Sequence, residues 1–217
     1  MVRIGERVPD FEARTSNGII HFPDDLRGKW VILYSYIGSF LPTDTTDIQA
    51  LERIRPKLKA YNTEVLGISP DSVASTLAWV LSMKNLSVTG EAVGIELISD
   101  RSLEISKDYG FNTTSQDMSQ NEKAVYIIDS DGILRAKIFY PFSTGINVTE
   151  LERTVLALKT GDAQAGQTPS GWVPGEDLLE HPPQTSGTAQ TNIRDRESVG
   201  MRCVDWYLCF RDDTGQR

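Results

Sequence analysis

The first 202 residues of this 217-residue chain contain no cysteine; the two it has, Cys203 and Cys209, lie in the tail. Histidine is as scarce, present only at His21 and His181. So few sulfur and imidazole groups argue against a zinc centre of the usual Cys/His spacing, and neither a metal nor a cofactor is expected. Long apolar runs are missing too. The longest reads "WVILY", far short of the roughly 18 residues a membrane span needs. The opening "MVRIGERVPDFEAR" lacks the apolar core of a secretory leader. Cytoplasm, with reduced thiols, is therefore the expected compartment, and the N-x-T patterns at 112–114 and 147–149 imply no glycosylation. An excess of positive charge is also lacking. With a formal charge of −8 and a pI near 4.8, the chain has no basis for neutralising phosphates, so neither nucleic acid nor membrane is an expected partner.

What is present is an alternation of strand and helix signals over residues 1 to about 160. "GIIHF" (18–22) reads as a short strand, and "KWVILYSYI" (29–37) as a strand buried on both faces. In "DIQALERIRPKLKAY" (47–61), Ile48, Leu51, Ile54 and Leu58 recur at helical spacing, with a kink or break expected at Pro56. "EVLGIS" (64–69) and "GIELISD" (94–100) are further strands, "SVASTLAWVLSMKNL" (72–86) a helix, and "LEISKDYG" a short helix that Gly110 ends. Two β-rich runs flank Ser130-Asp131-Gly132, a hairpin by its turn chemistry. A last helix over 147–161 has Gly161 as its stop. The order predicts an α/β domain over 1–160, a mixed central sheet flanked by helices. The polar remainder, 161–217, reads as an extended C-terminal arm too poor in apolar residues to form its own core.

Several segments carry a resemblance. "IGERVPDFEA" (4–13), "GKWVILYS" (28–35), "LGISPDSV" (66–73) and "AVYIIDSDGILRAKIFYP" (124–141) look like the peroxiredoxins, and "CVDWYLCF" (203–210) resembles the arm of the large one-cysteine type. The resemblance implies a thioredoxin-like fold, a homodimer, higher rings, and a thiol that attacks peroxide. It also implies where that thiol should stand. Laid over "PTDTTD" (42–47), the attacking cysteine falls on Asp44, and the preceding threonine on Leu41. The family's histidine and proline fall on Tyr36 and Ile37, and its two arginines on Lys123 and Ile146.

Each changed position has a plain and a sharper reading. Asp44, Thr45 or Thr46 could cap the helix that opens here, or Asp44 could hold the loop permanently anionic in the field of the helix N-terminus; a general base is the third option. Lys123 could be a solvated strand-edge lysine or the partner of Asp44. Cys203 and Cys209, six apart, would sit well over a turn from each other in a helix, although a bend in "VDWYL" would join them. They read either as inherited tail thiols or as a redox pair or intersubunit bridge. The expectation is a peroxiredoxin-like scaffold or modulator without peroxidase chemistry, a homodimer or a mixed assembly with an active paralogue. The alternative is a thiol-dependent oxidoreductase working through Cys203 and Cys209.

Overall fold

The computed structural model describes residues 1–84, 93–111, 122–194 and 201–212. The 112–114 sequon and the last two residues of the helix expected over 72–86 lie outside them. The chain divides into two compact units, Met1–Val148 and Thr149–Arg217.

The first unit is built on a seven-stranded sheet of order β2-β1-β5-β4-β3-β6-β7. β3 (Trp30–Ser35), an inner strand of that order, is buried at every position, as a near-continuous apolar run predicts. β4 (Thr63–Ser69) and β5 (Glu96–Ser99) continue it in parallel. β6 (Glu122–Ile128) and β7 (Leu134–Pro141) form the expected antiparallel hairpin on its other side. At the far edge, β2 (Gly18–Phe22) pairs with β1 (Phe11–Thr15). β1 was not among the expected strands; its alternation of partly buried and exposed residues is too short a pattern to stand out beside Glu12 and Arg14.

Helices flank the sheet: α1 (Pro42–Ala60), α2 (Val73–Lys84) and the short α3 (Glu104–Tyr109), which ends on Gly110 in the left-handed conformation at φ 77°. The expected break at Pro56 does not occur. Pro56 sits on the exposed side of α1, where water can satisfy the carbonyl deprived of its donor. Ile48, Leu51 and Leu58 are buried, as their spacing requires. Trp79 and Met83 of α2, four apart, are both buried as well.

The second unit corrects two expectations. α4 (Val148–Gln164) runs through Gly161. The left-handed residue that stops it is Ala165, at φ 49°, and the Gly166 amide donates back to the Gly161 carbonyl at 3.1 Å. That six-to-one bond is the Schellman closure, reached without a glycine in the left-handed position. The polar remainder also has a core after all, because α4 belongs with it. Trp172 and Leu178 are completely buried and cluster with Ala157 and Leu156 of α4. β8 (Leu178–Leu179), β9 (Arg202–Asp205) and β10 (Leu208–Arg211) form a three-stranded sheet, β10 in the middle, and α5 (Ser186–Arg194) contacts β9.

One close approach fixes the shape of the sheet beside the loop that follows β3. A Cβ at Gly67 would lie 2.5 Å from Leu97 Cδ2 and 3.2 Å from Tyr36 Cε1. Leu97 and Tyr36 are both buried, so neither can retreat into solvent. Gly67→Ala should therefore destabilise the first unit by about 1–3 kcal/mol, the ordinary cost of overpacking. Urea denaturation read by fluorescence would measure it; an unchanged midpoint would show that Leu97 gives way freely.

Candidate functional site

The loop between β3 and α1 is where the sequence places its candidate residues. Leu41 takes the extended conformation and precedes the helix, with Pro42 as its first residue, a position where proline costs no hydrogen bond. Asp44 therefore falls in the first turn rather than at the cap. No side-chain cap bond forms there. Thr45 is not the cap either: its hydroxyl bonds back to the Leu41 carbonyl at 2.7 Å and accepts from Trp79 Nε1 at 3.1 Å. The capping reading of Asp44 gives way to another arrangement. Its carboxylate turns towards the loop, and Oδ2 accepts the backbone N–H groups of Ile37 (3.0 Å) and Gly38 (3.1 Å).

The other oxygen faces a buried ionic cluster. Lys123 of β6 is fully buried, which overturns its reading as a solvated edge lysine. Its Nζ lies 2.6 Å from Asp47 Oδ2 and 3.8 Å from Asp44 Oδ1. Asp44 and Lys123 do meet, but Asp47 is the closer partner. The Tyr34 hydroxyl donates to Asp47 Oδ2 at 2.8 Å and lies 3.2 Å from Asp44 Oδ1. The Ile146 amide donates to Asp47 Oδ1 at 3.0 Å. Gly145 allows this approach, since a Cβ there would stand 3.0 Å from the same oxygen.

Strand register explains the convergence. Tyr34 pairs with Val125 across β3 and β6, and Lys123 lies two residues from Val125, on the same face of the sheet and diagonal to Tyr34. Asp44 and Asp47 are three apart on α1 and so share a helix face. Four segments thus supply one cluster. All of its charged members are buried: Asp44 and Lys123 at 0% exposure and Asp47 at 3%.

Electrostatics follow from that burial. Desolvation, more than any other influence, raises the Asp44 carboxyl above its ordinary range, and Asp47 adds to the rise. The Gly38 amide, Lys123 and Tyr34 pull the other way. The Tyr34 phenol is pushed well above its usual value, first by burial and then by the two carboxylates, so it stays a donor. The arrangement is chemically closed. The carboxylate oxygens are engaged by donors, no sulfur is present, and the residues have no exposed surface from which to meet a substrate.

Beside this cluster, Tyr36 stacks between Tyr34 and Trp79, with ring centroids 6.0 and 5.4 Å away. Its hydroxyl faces those of Ser69, Thr76 and Ser39, and burial pushes it up to about 12. Ile37 and Leu41 contribute backbone: the Ile37 amide to Asp44, the Leu41 carbonyl to Thr45. Sequence reasoning missed Tyr34 and Asp47. The signal for Asp47 was its spacing from Asp44; Tyr34 offered none, being one aromatic in an apolar strand.

Cys203 and Cys209 lie in the second unit, joined by a disulfide. They are not on a helix. The chain reverses at Trp206 and Tyr207, so that Cys203 and Cys209 face each other across β9 and β10, and the reading as two inherited tail thiols does not hold. His21, exposed on β2, lies 3.3 Å from Glu12 and 3.4 Å from Asp25, four residues along the chain.

Comparison with known proteins bears on all of this. The family model described as AhpC/TSA family matches residues 4–137. The chain is 37% identical over 223 residues to a peroxiredoxin of Methanosarcina mazei, covering 99% of each chain. It is 37% identical over 221 residues to a peroxiredoxin of Aquifex aeolicus, covering 95% of each. A solved structure of the yeast mitochondrial 1-Cys peroxiredoxin superimposes with a TM-score of 0.85 at 26% identity, over 98% of this chain and 100% of that one. The thioredoxin-like fold, with a C-terminal region that carries a sheet, is thereby shared.

Two measurements probe the cluster. Lys123→Met leaves two buried carboxylates without their cation, and should cost about 3–5 kcal/mol in urea unfolding. A loss well under 1 kcal/mol would mean that Asp44 and Asp47 are not both charged around it. The second concerns pH. Asp44 is raised in the folded chain above its ordinary value of 3.8, so the folded state holds its proton more tightly than the unfolded state does. Its favourable contribution is present below that value and is lost as pH rises through the folded pKa. Stability of Asp44→Asn relative to the natural chain should therefore improve as pH climbs from below 3.8 towards neutrality. Chemical denaturation at stepped pH reads the trend, and a trend of opposite sign refutes the raised carboxyl.

Proposed function

The chain belongs to the AhpC/TSA family of peroxiredoxins, and from that premise we propose that Asp44 occupies the position of the attacking thiol and that the protein is a non-catalytic member of the family. One observation carries the reading: the candidate loop delivers a carboxylate into a sealed Asp44–Asp47–Lys123–Tyr34 cluster, in a segment without cysteine. Reduction of a peroxide needs a thiolate to attack the O–O bond and to pass through a sulfenic state. A carboxylate is too weak a nucleophile for the attack and has no such state to enter. Leu41 offers no hydroxyl to a peroxide. Lys123 keeps the charge of the arginine it would replace but not its planar fork of donors, and its ammonium is committed to Asp47.

Such a protein would act through assembly in the cytoplasm, as a homodimer, a ring, or a modulator built into a mixed ring with an active paralogue. A second reading has its own observation, the disulfide between Cys203 and Cys209. As free thiols, the pair could give two electrons and two protons to a hydroperoxide, leaving the disulfide, an alcohol and water. Tail chemistry of that kind would make the chain a thiol-dependent oxidoreductase.

Hydrogen peroxide consumption in excess dithiothreitol separates the two. The natural chain and a Cys203→Ser/Cys209→Ser double variant should both run at the reagent blank. Turnover by the natural chain alone establishes the tail chemistry. Equal turnover by both overturns the non-catalytic reading at its root.

A further inference from the structure

The sheet has a second concave feature, at the opposite end of β3 from the Asp44 cluster. Val31 pairs with Ile128 at that end, whereas Ser35 pairs with Ala124 beside the cluster. Four strand steps, about 13 Å, separate the two positions on β3. Here the N-terminal segment, the turn after β2 and the β6–β7 hairpin turn enclose a cleft of about 340 Å³. That volume lies within the range of small-ligand sites.

Its floor is apolar: Leu26 is partly exposed there, and the buried Phe22, Pro23, Val31 and Ile128 back it from the core. Its rim is basic, with Arg7, Arg27 and Lys29 converging on it. On a chain of formal charge −8, three cations around one cleft run against the background. They are not equivalent. Arg27 is paired with Asp24 and Lys29 with Glu64 at 2.9 Å each, exposed pairs of the kind that contribute little. Arg7 has no carboxylate within ion-pair distance among the described residues. Its Nη1 donates to the Asp131 carbonyl at 2.9 Å, which orients the guanidinium and leaves its remaining donors uncommitted.

The two acids that line the cleft do not cancel this. Asp129 is consumed by the amides of Asp131 and Ile133 and by Arg135. Asp131 is at the turn, and its backbone is what holds Arg7. Two glycines turn the chain at the cleft. Gly132 takes the left-handed φ of 78° at the hairpin turn, with Pro23 Cγ and Arg7 Nη1 at ordinary contact distance from where its Cβ would be. A Cβ at Gly28 would meet nothing within 4 Å, so that side faces open space.

We propose that this cleft binds a small organic anion, a carboxylate or phosphate head held by Arg7 and carried on an apolar body that rests on Leu26. A guanidinium with free donors is the side chain best matched to either head, since it can bond two oxygens at once. The apolar floor is what distinguishes such a ligand from a bare ion. Arg27 and Lys29 add attraction at the mouth.

Amide chemical shifts of the full chain, titrated with phenyl phosphate, benzoate and inorganic phosphate, test the assignment. Saturable shifts should centre on Gly28, Ser130 and Gly132 with one or both aryl anions, and the stronger of the two identifies the head. Inorganic phosphate should bind more weakly. Arg7→Gln, an exposed change that leaves the floor intact, should weaken binding by about tenfold, the loss of a charge-assisted pair. No saturation by about 20 mM of either aryl anion, or equal binding by Arg7→Gln, removes the site. Equal affinity for inorganic phosphate removes the organic body and leaves surface charge pairing only.

Discussion

A lysine with no exposed surface, 2.6 Å from one buried carboxylate and 3.8 Å from another, sets the terms for the first unit. Burying any one of these charges alone would cost several kcal/mol. Together they are tolerable only if the geometry is held, because attraction at low dielectric offsets desolvation only at close range. The cluster therefore imposes positions on everything that feeds it. α1 must present residues 44 and 47 to β6, β3 must offer Tyr34 diagonally across from Lys123, and the segment after β7 must bring the Ile146 amide to Asp47. A displaced element would strand a charge or an unpaired donor. Buried ion pairs often add no stability over a packed apolar core, while removal of one partner is strongly destabilising.

The loop after β3 shows the same logic locally. Two consecutive amides, of Ile37 and Gly38, point at one oxygen of Asp44, and the helix that follows adds the field of its N-terminus. This is a slot for an anion, made by backbone and so independent of which side chain fills it. Phe40 completes the turn at φ 66°, a left-handed conformation that costs a non-glycine residue energy and is tolerated because both flanks are pinned. On the proposed reading, a carboxylate has taken a slot suited to a thiolate. The scaffold does not distinguish them, since what it supplies is a pair of backbone donors aimed at one acceptor. Chemistry does distinguish them, and that is how the fold can outlive the reaction.

Legibility in the sequence tracked how local the cause was. "WVILY" is buried throughout because it is apolar throughout, and the β6–β7 hairpin is written in its turn residues. Gly110 ends its helix as expected. Gly161 does not, because the closing bond can form around Ala165, and nothing in the local residues announces that. Asp44 stood out from the resemblance, but its partners come from β3, β6 and the segment after β7, and sequence spacing carries no record of them. Lys123 carries two readings for a related reason: a lysine before an apolar strand is ordinarily solvated, and only the fold selects its place beside Asp44 and adds Asp47. The tail misled through its composition. Its polar average hides Trp172 and Leu178, which need only Ala157 and Leu156 from α4 to become a core.

The disulfide adds a separate constraint to that second unit. With so small an apolar cluster, a unit of this size is short of the burial that stabilises larger domains. A covalent link across β9 and β10 restricts the unfolded chain, and so supports a hairpin whose tip, at Trp206 and Tyr207, leaves both rings substantially exposed. Cys203 and Cys209 themselves are nearly buried, at 8% and 2% exposure. A dithiol serving turnover must be reached by reductant and by peroxide in each cycle, whereas a covalent brace works best when covered. Burial thus favours a structural part for this pair, and it agrees with a first unit whose ionic cluster is equally shut away. Each half of the chain thus covers its candidate residues, Asp44, Asp47 and Lys123 in the first unit and Cys203 and Cys209 in the second.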